Sequence, residues 1–227
     1  MNGITIKGSK RMSGSPLVDI AYEKIRHNLL NADYAPGVLL SESELAAQLN
    51  MSRTPVRDAI RLLEKEGFVQ TLSKRGIRVN AIEVQELFDI FDLLNALYLY
   101  ALDVVEQYHD EIDLLKMRTY LDRLIEASDR KRYREYYENG LLFMRTLLEA
   151  THNRHILQTF DAYKDKVLFF VVAHRSYKRP NRPYTGRAVY SEMYRCLTDG
   201  DVRGARTTLR NSKWHVRDEL LRGSGDY

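Results

Sequence analysis

The stretch from Ser41 to Val79, SESELAAQLNMSRTPVRDAIRLLEKEGFVQTLSKRGIRV, restricts the fold more than any other part of this chain. Ser41 is a natural N-cap with Glu44 three residues on, the spacing of a capping box that satisfies orphan amides at a helix start. Leu45, Ala46 and Leu49 fall on one side of the helix that follows. Asn50 stands where the chain must turn sharply, a position that calls for positive φ, which Asn tolerates. Ser52 is a second N-cap, and Pro55 lies in a first turn, where a missing N–H costs little. Val56, Ile60 and Leu63 are spaced for one apolar face, while Arg53, Arg57 and Arg61 recur every four residues on another. After Gly67, residues 68–72 and 77–79 read as strands joined by Ser73-Lys74-Arg75-Gly76, a hairpin with a cationic tip.

Helix, turn, helix and basic hairpin together make a winged helix-turn-helix, whose second helix enters the major groove while the wing lies along the backbone or minor groove. An arginine stripe by itself is most often a solvated face; here it comes with the turn and the wing. The segments Leu40–Ala46 (LSESELA), Met51–Ile60 (MSRTPVRDAI) and Leu63–Val69 (LEKEGFV) closely resemble the DNA-binding domain of the GntR family of bacterial transcription regulators. The likeness runs from about Pro36-Gly37 to Val79, and the Ser-Arg-Thr-Pro-Val-Arg run is its most specific part. It implies double-stranded operator DNA as partner. Arg53 and Arg57 suit base edges, because guanidinium pairs bidentately with guanine, and Ser52 and Thr54 suit phosphates or thymine. Ser41, Val56 and Arg61 complete the expected helix-side contacts. Lys74, Arg75 and Gly76 would serve the wing, Gly letting the backbone approach DNA closely. Charge agrees: residues 1–80 hold 12 Lys/Arg against 8 Asp/Glu, whereas 81–227 hold 23 against 23, so the whole +4 lies in the DNA-binding half.

Upstream, Leu17, Ile20, Ala21, Ile25, Leu29 and Leu30 predict a helix from Pro16 to about Asp33, and Val38-Leu39-Leu40 a short strand or an extended entry to the next helix, giving a winged domain over 16–80. Residues 1–15, basic and without the apolar core of a signal peptide, are expected to form a flexible arm. From Glu83 the pattern is wholly helical, with no Pro until Pro180. Six helices fit, at Glu83–Tyr108, Glu111–Ser128, Arg130–Thr151, Arg154–Lys178, Thr185–Thr198 and Asp201–Arg222, as an antiparallel bundle over 83–227. The fold class is mainly α: an N-terminal winged helix-turn-helix plus a C-terminal antiparallel all-helical bundle. The longest apolar run, Val167–Ala173, is far too short to cross a membrane. Cys196 is alone, no Cys/His cluster has zinc-site spacing, and a cytoplasmic protein with no membrane partner is expected.

The bundle resembles that of the FadR (FCD) subfamily of GntR regulators, in Leu148–Asn153 (LEATHN) and in the Gly200-Asp201 junction with Ala205. The resemblance implies a homodimer and a small-molecule effector. Many members also hold a metal with Asp and His ligands, and the corresponding positions here are Gly140, Met144, Tyr190 and Ser212. None is a normal ligand, so no metal and no cofactor are expected, with Asn139, His152, His155, His174 and His215 the stray alternatives. Phe91 and Asn95 stand where the subfamily carries Arg and Glu. An effector pocket is expected around Phe91, Asn95, Met144, Arg145, Tyr190, Tyr194 and Ser212, for an effector less polar than the family's usual carboxylates. Tyrosines such as Tyr98, Tyr133, Tyr136 and Tyr137 are first of all packing groups, though several would line a cavity with Arg145, Arg175 or Trp214. The Arg132–Tyr137 run and the Arg175–Arg179 cluster mimic RNA-binding surfaces but lack a sheet platform. No catalytic motif is present. The expected function is a ligand-responsive transcription regulator, not an enzyme. The alternatives are a DNA-bound architectural protein whose bundle binds protein, and a helical enzyme carrying a winged module.

Overall fold

The computed structural model describes residues 15–81, 83–108, 111–178 and 184–221, the side chains of 178 and 213–221 excepted. The arm expected over 1–15 lies outside these but for Ser15, as do the breaks at His109-Asp110 and Pro180 and the side chains of Trp214 and His215. The chain divides into two compact units, Met1–Ala81 and Ile82–Tyr227.

The first unit runs α1 (Pro16–Leu30), β1 (Leu39–Leu40), α2 (Glu42–Leu49), α3 (Arg53–Lys65), β2 (Val69–Leu72) and β3 (Gly76–Val79). The strands form an antiparallel sheet in the order β1-β3-β2, with Leu39 opposite Arg78 and Val69 opposite Val79. Asn50 adopts φ 53°, the left-handed turn that separates α2 from α3. α1 ends at Leu30, earlier than its apolar spacing implies, because Ala32 takes φ 59°. Its buried face is Val18, Tyr22, Ile25 and Leu29, so Leu17 and Ile20, expected inside, are 53% and 44% exposed. The rotation is set by Tyr22, whose hydroxyl donates to both carboxylate oxygens of Glu66 at 2.9 Å. Burial and the Glu66 charge raise the Tyr22 phenol far above its ordinary pKa, so it donates at any physiological pH.

The second unit contains, among the described residues, α4 (Val84–Tyr108), α5 (Leu114–Asp129), α6 (Tyr133–Glu149), α7 (Arg154–Lys178), α8 (Gly186–Thr198) and α9 (Val202–Leu221). Local caps explain where these begin. Asp113 accepts from the Lys116 amide at 2.8 Å, which starts α5 three residues later than the apolar pattern suggests. Lys131 at φ 55° delays α6 to Tyr133. His152 at φ 50° breaks the chain, and Asn153 Oδ1 then accepts from the amides of His155 and Ile156. His152 and His155 therefore belong to a helix junction. Asp201 caps α9 through the Gly204 amide at 2.8 Å. The interior is aromatic and aliphatic, with Phe143, Phe160 and Phe169 fully buried beside Leu87, Leu102 and Met117. The apolar run Val167–Ala173 is buried throughout, which makes the middle of α7 the bundle's central helix segment. Arg206 fastens α9 to α4 through Asp103 at 2.7 Å and Glu106 at 2.6 Å, and its bond to Glu106 holds that carboxyl below its usual range.

Candidate functional site

α3 is divided lengthwise. Pro55, Val56, Ala59, Ile60 and Leu63 are buried, while Ser52, Arg53, Thr54, Arg57 and Arg61 are exposed. Val56 corrects the sequence expectation: its side chain is 0% exposed and belongs to the core, because positions 56, 60 and 63 share the inward face, so it has no access to nucleic acid. Ser41 caps α2 by accepting from the Ser43 amide at 3.2 Å, while Ser52 precedes α3 without a side-chain cap. Arg53 has no hydrogen-bond or ion-pair partner among the described residues and is open to solvent. Arg57 reaches back to the first turn of α2, where its Nε lies 3.2 Å and its Nη2 2.9 Å from Glu42 Oε2. The bond to Glu42 raises its pKa further, and the guanidinium spans the turn in this arrangement. Arg61 pairs with Asp58 at 3.1 Å. Both pairs are solvent-exposed, so they are weak, screened by salt and readily exchanged for a phosphate or a base edge.

The wing is tied to α3 by Glu64, whose carboxylate accepts from the Thr71 amide at 2.6 Å and from the Thr71 hydroxyl at 3.1 Å. Lys74, at φ 60°, and Arg75 sit exposed at the tip. A groove of about 580 Å³ between β1, the start of α2 and the wing is lined by Glu42, Lys74 and Arg75 among others. Glu42 also holds Arg57, so recognition-helix and wing cations border one surface. Neither Glu42 nor Glu64 was singled out from sequence, since an acidic residue on an exposed helix position carries no local signature.

Gly76 has a structural role in addition to the one expected. Its φ is +102°, and a Cβ there would lie 2.7 Å from the Leu40 carbonyl oxygen. Glycine is required there by the close approach of β1. Gly76→Ala is expected to lower stability by about 1–3 kcal/mol, measured by urea unfolding of the full chain; an unchanged midpoint would remove that role.

The residues expected to form a bundle pocket are only partly brought together. Phe91 and Asn95 lie on α4, partly buried, two turns and one turn respectively before Tyr98 on the same face. Met144 is buried on α6. Tyr190 on α8 packs edge-on against Phe143, ring centroids 5.3 Å apart, and its hydroxyl stands 2.7 Å from where a Cβ on Gly140 would be. Arg145 does not fit the expectation: it donates to Asp161 Oδ1 and Oδ2 at 2.9 Å each and also to Glu149, which Lys116 in turn approaches at 2.5 Å. Carboxylates from α6 and α7 thus consume the guanidinium. Ser212 donates its hydroxyl to Leu209 O at 2.8 Å on its own helix, and the Tyr194 ring lies 5.7 Å from the Arg118 guanidinium of α5.

The tyrosines of the first apparent RNA-binding run pack against one another, and Arg175 of the second run meets them. Arg175 stacks on Tyr133 at 3.9 Å and on Tyr184 at 4.7 Å, and Tyr136 packs edge-on against both Tyr137 and Tyr184. Tyr184 carried no sequence signal, whereas Tyr98, expected as a packing group, is buried on the same α4 face as Phe91 and Asn95.

A divalent metal needs imidazole or carboxylate donors, and the four positions offer none that fits: Gly140 has no side chain, Met144 is a thioether, Tyr190 is a phenol raised by burial far above its ordinary pKa, and the Ser212 hydroxyl is already bonded. Nor do the described residues contain a group of three or more His, Cys, Asp or Glu side chains arranged to hold one.

The chain matches the model of the gntR family of bacterial regulatory proteins over residues 17–79 and that of the FCD domain over 89–212. It is 30% identical over 203 residues to an uncharacterised HTH-type transcriptional regulator in an unstable DNA locus of Streptomyces ambofaciens, the match covering 88% of this chain and 84% of that one. Two solved structures share the fold. A GntR transcriptional regulator from Rhodococcus sp. RHA1 superposes with TM-score 0.79 at 17% identity, covering 94% of this chain and 100% of the other. McbR/YncC of E. coli does so with TM-score 0.71 at 18% identity, covering 92% and 98%.

Proposed function

The chain belongs to the GntR family of bacterial transcription regulators, with a C-terminal FCD effector-binding domain, and on that footing we propose how its own residues carry out regulation. Two winged domains, held at a fixed spacing by paired helical domains, each lay α3 in the major groove of one half of a near-palindromic operator. Arg53 and Arg57 read bases, Ser52, Thr54 and Arg61 contact phosphates, and Lys74 and Arg75 bind the flanking backbone. The observation that carries this is the exposed cationic face of α3, with Arg57 aimed by Glu42 and continuous with the groove bordered by the wing. An acidic partner fits such a face, and family membership points to DNA rather than to an enzyme's substrate.

The homodimer draws support from α4, where Leu93 and Tyr100, seven residues apart on the outward face, are 37% and 51% exposed. A small molecule bound in the helical domain favours one spacing of the winged domains over another, and so changes operator affinity without touching DNA. Among the described residues no helix is long and apolar enough to cross a membrane, and we place the protein in the cytoplasm, where its operator lies.

The test begins with an operator selected from genomic fragments by the purified protein. Arg53→Ala and Arg57→Ala should each weaken binding about tenfold to a hundredfold and relax preference at one base. Isotherms that coincide with the parent at matched salt would sink the assignment.

A further inference from the structure

We infer that Glu64 is a positioning residue for operator binding: from the face of α3 that carries the arginines, it holds the wing where Lys74 and Arg75 reach the flanking phosphates. The inference rests on the DNA-reading function proposed above and adds to it a residue that acts through the wing.

The sheet order β1-β3-β2 leaves β2 at an edge. The Asn80 amide donates to Phe68 O at 2.9 Å, and the register sets Gln70 opposite Arg78 and Leu72 opposite Gly76. Bonded and non-bonded pairs alternate along an antiparallel ladder, so the bonded ones are 68/80, 70/78 and 72/76, and the N–H of Thr71 points away from β3. Glu64 meets it there. One carboxylate oxygen accepts from the Thr71 amide at 2.6 Å and the other from the Thr71 hydroxyl at 3.1 Å. Two charge-assisted bonds to one residue fix direction as well as distance. On the opposite side β1 grips β3 through Leu39 and Leu40, up to the tight contact at Gly76. The ribbon is held from both edges, and Glu64 supplies the hold that comes from the recognition helix.

Placement along α3 gives that hold its purpose. Arg57, Arg61 and Glu64 follow one another at spacings of four and three residues, so they share one face of the helix. The base-reading groups and the anchor of the wing are thereby fixed to one rigid element. Lys74 and Arg75 stand three and four residues beyond Thr71, about 10 Å further along the ribbon. By charge alone a carboxylate on this face would oppose a phosphate backbone. Its bonds to Thr71 act with the opposite sign, because a wing already ordered against α3 enters the complex without the entropy cost of being ordered there.

That difference in sign is the test. With the full-length protein and the selected operator, Glu64→Ala should weaken binding about tenfold at matched salt, although it removes a negative charge. The plot of log affinity against log salt should become shallower by about 2, near 0.9 for each of the two phosphate contacts. Preference for the operator over a duplex with one base changed should stay as in the parent, since the arginines of α3 are untouched. Glu64→Gln keeps an acceptor for the Thr71 amide and should retain the parent slope. Lys74→Ala combined with Arg75→Ala should cost the parent about tenfold and the Glu64→Ala protein little. The slope reads only folded molecules, so partial unfolding of a variant does not imitate the effect. The proposal is overturned if Glu64→Ala binds as tightly as the parent or more tightly, if its slope is unchanged, or if the two wing substitutions cost the same in both backgrounds. Arg53→Ala in the same titration keeps the two readings apart: if it too leaves binding unchanged the DNA assignment fails, and if it weakens binding while Glu64→Ala does not, only the role of Glu64 fails.

Discussion

Deleting residues 82–227 should cost the protein about a hundredfold or more in operator affinity. The proposed dimer makes the second half-site contact intramolecular, and effective concentrations of that kind are worth about 10²–10⁴ in avidity. The winged unit has its own core around Ile25, Leu29, Ile60, Leu63 and Phe68, so the loss comes from the missing partner and not from an unfolded reader. Fusing an unrelated dimeric coiled coil after residue 81 should recover part of it. Binding isotherms at fixed salt, with the helical content of the winged unit as a control, decide the matter. A winged unit that binds alone as tightly as the whole chain would leave the helical domain no part in DNA affinity.

The second large effect is expected from Gly140→Asp, which should destabilise the full chain by about 3 kcal/mol or more. Any Cβ at 140 meets the Tyr190 hydroxyl at 2.7 Å and its Cζ at 2.9 Å, and a carboxylate would in addition be buried without a partner. The sign is diagnostic, because removing a glycine from an unconstrained helix interior is ordinarily favourable by about 0.5–1 kcal/mol. Tyr190→Ala in the Gly140→Asp background should recover part of the loss, a coupling visible in a double-mutant cycle by urea unfolding. If Gly140→Asp is as stable as its parent, the phenol does not fill that space, and a carboxylate ligand at position 140 would be sterically possible after all.

These two sites show how differently the two halves lay open to sequence reading. In the winged domain the legible signals were local: Ser41 as a cap, Asn50 as a left-handed turn, Ser52 before α3, arginine at every fourth position. Two of the helix boundaries that slipped did so at single backbone positions, Ala32 and Lys131, whose positive φ contradicts their residue type, and the start of α5 slipped to the Asp113 cap. In the bundle, periodicity found the helices and the resemblance found where a metal site would be. Neither could say which side chains fill the space left by Gly140. Arg145 looked available because its two acceptors sit on different elements, Glu149 on its own helix and Asp161 on the next.

By itself, then, the sequence determined the class of this protein: a DNA-reading winged domain followed by an all-helical one, because capping, turning and amphipathic spacing act over a few neighbouring residues. Only the tertiary structure decided that Val56 faces inward, that Gly76 makes room for the Leu40 carbonyl, that Glu42 meets Arg57, and that Tyr190 occupies the space beside Gly140. Each of those depends on which atoms from distant parts of the chain arrive at the same place, and close packing lets only one of them occupy it.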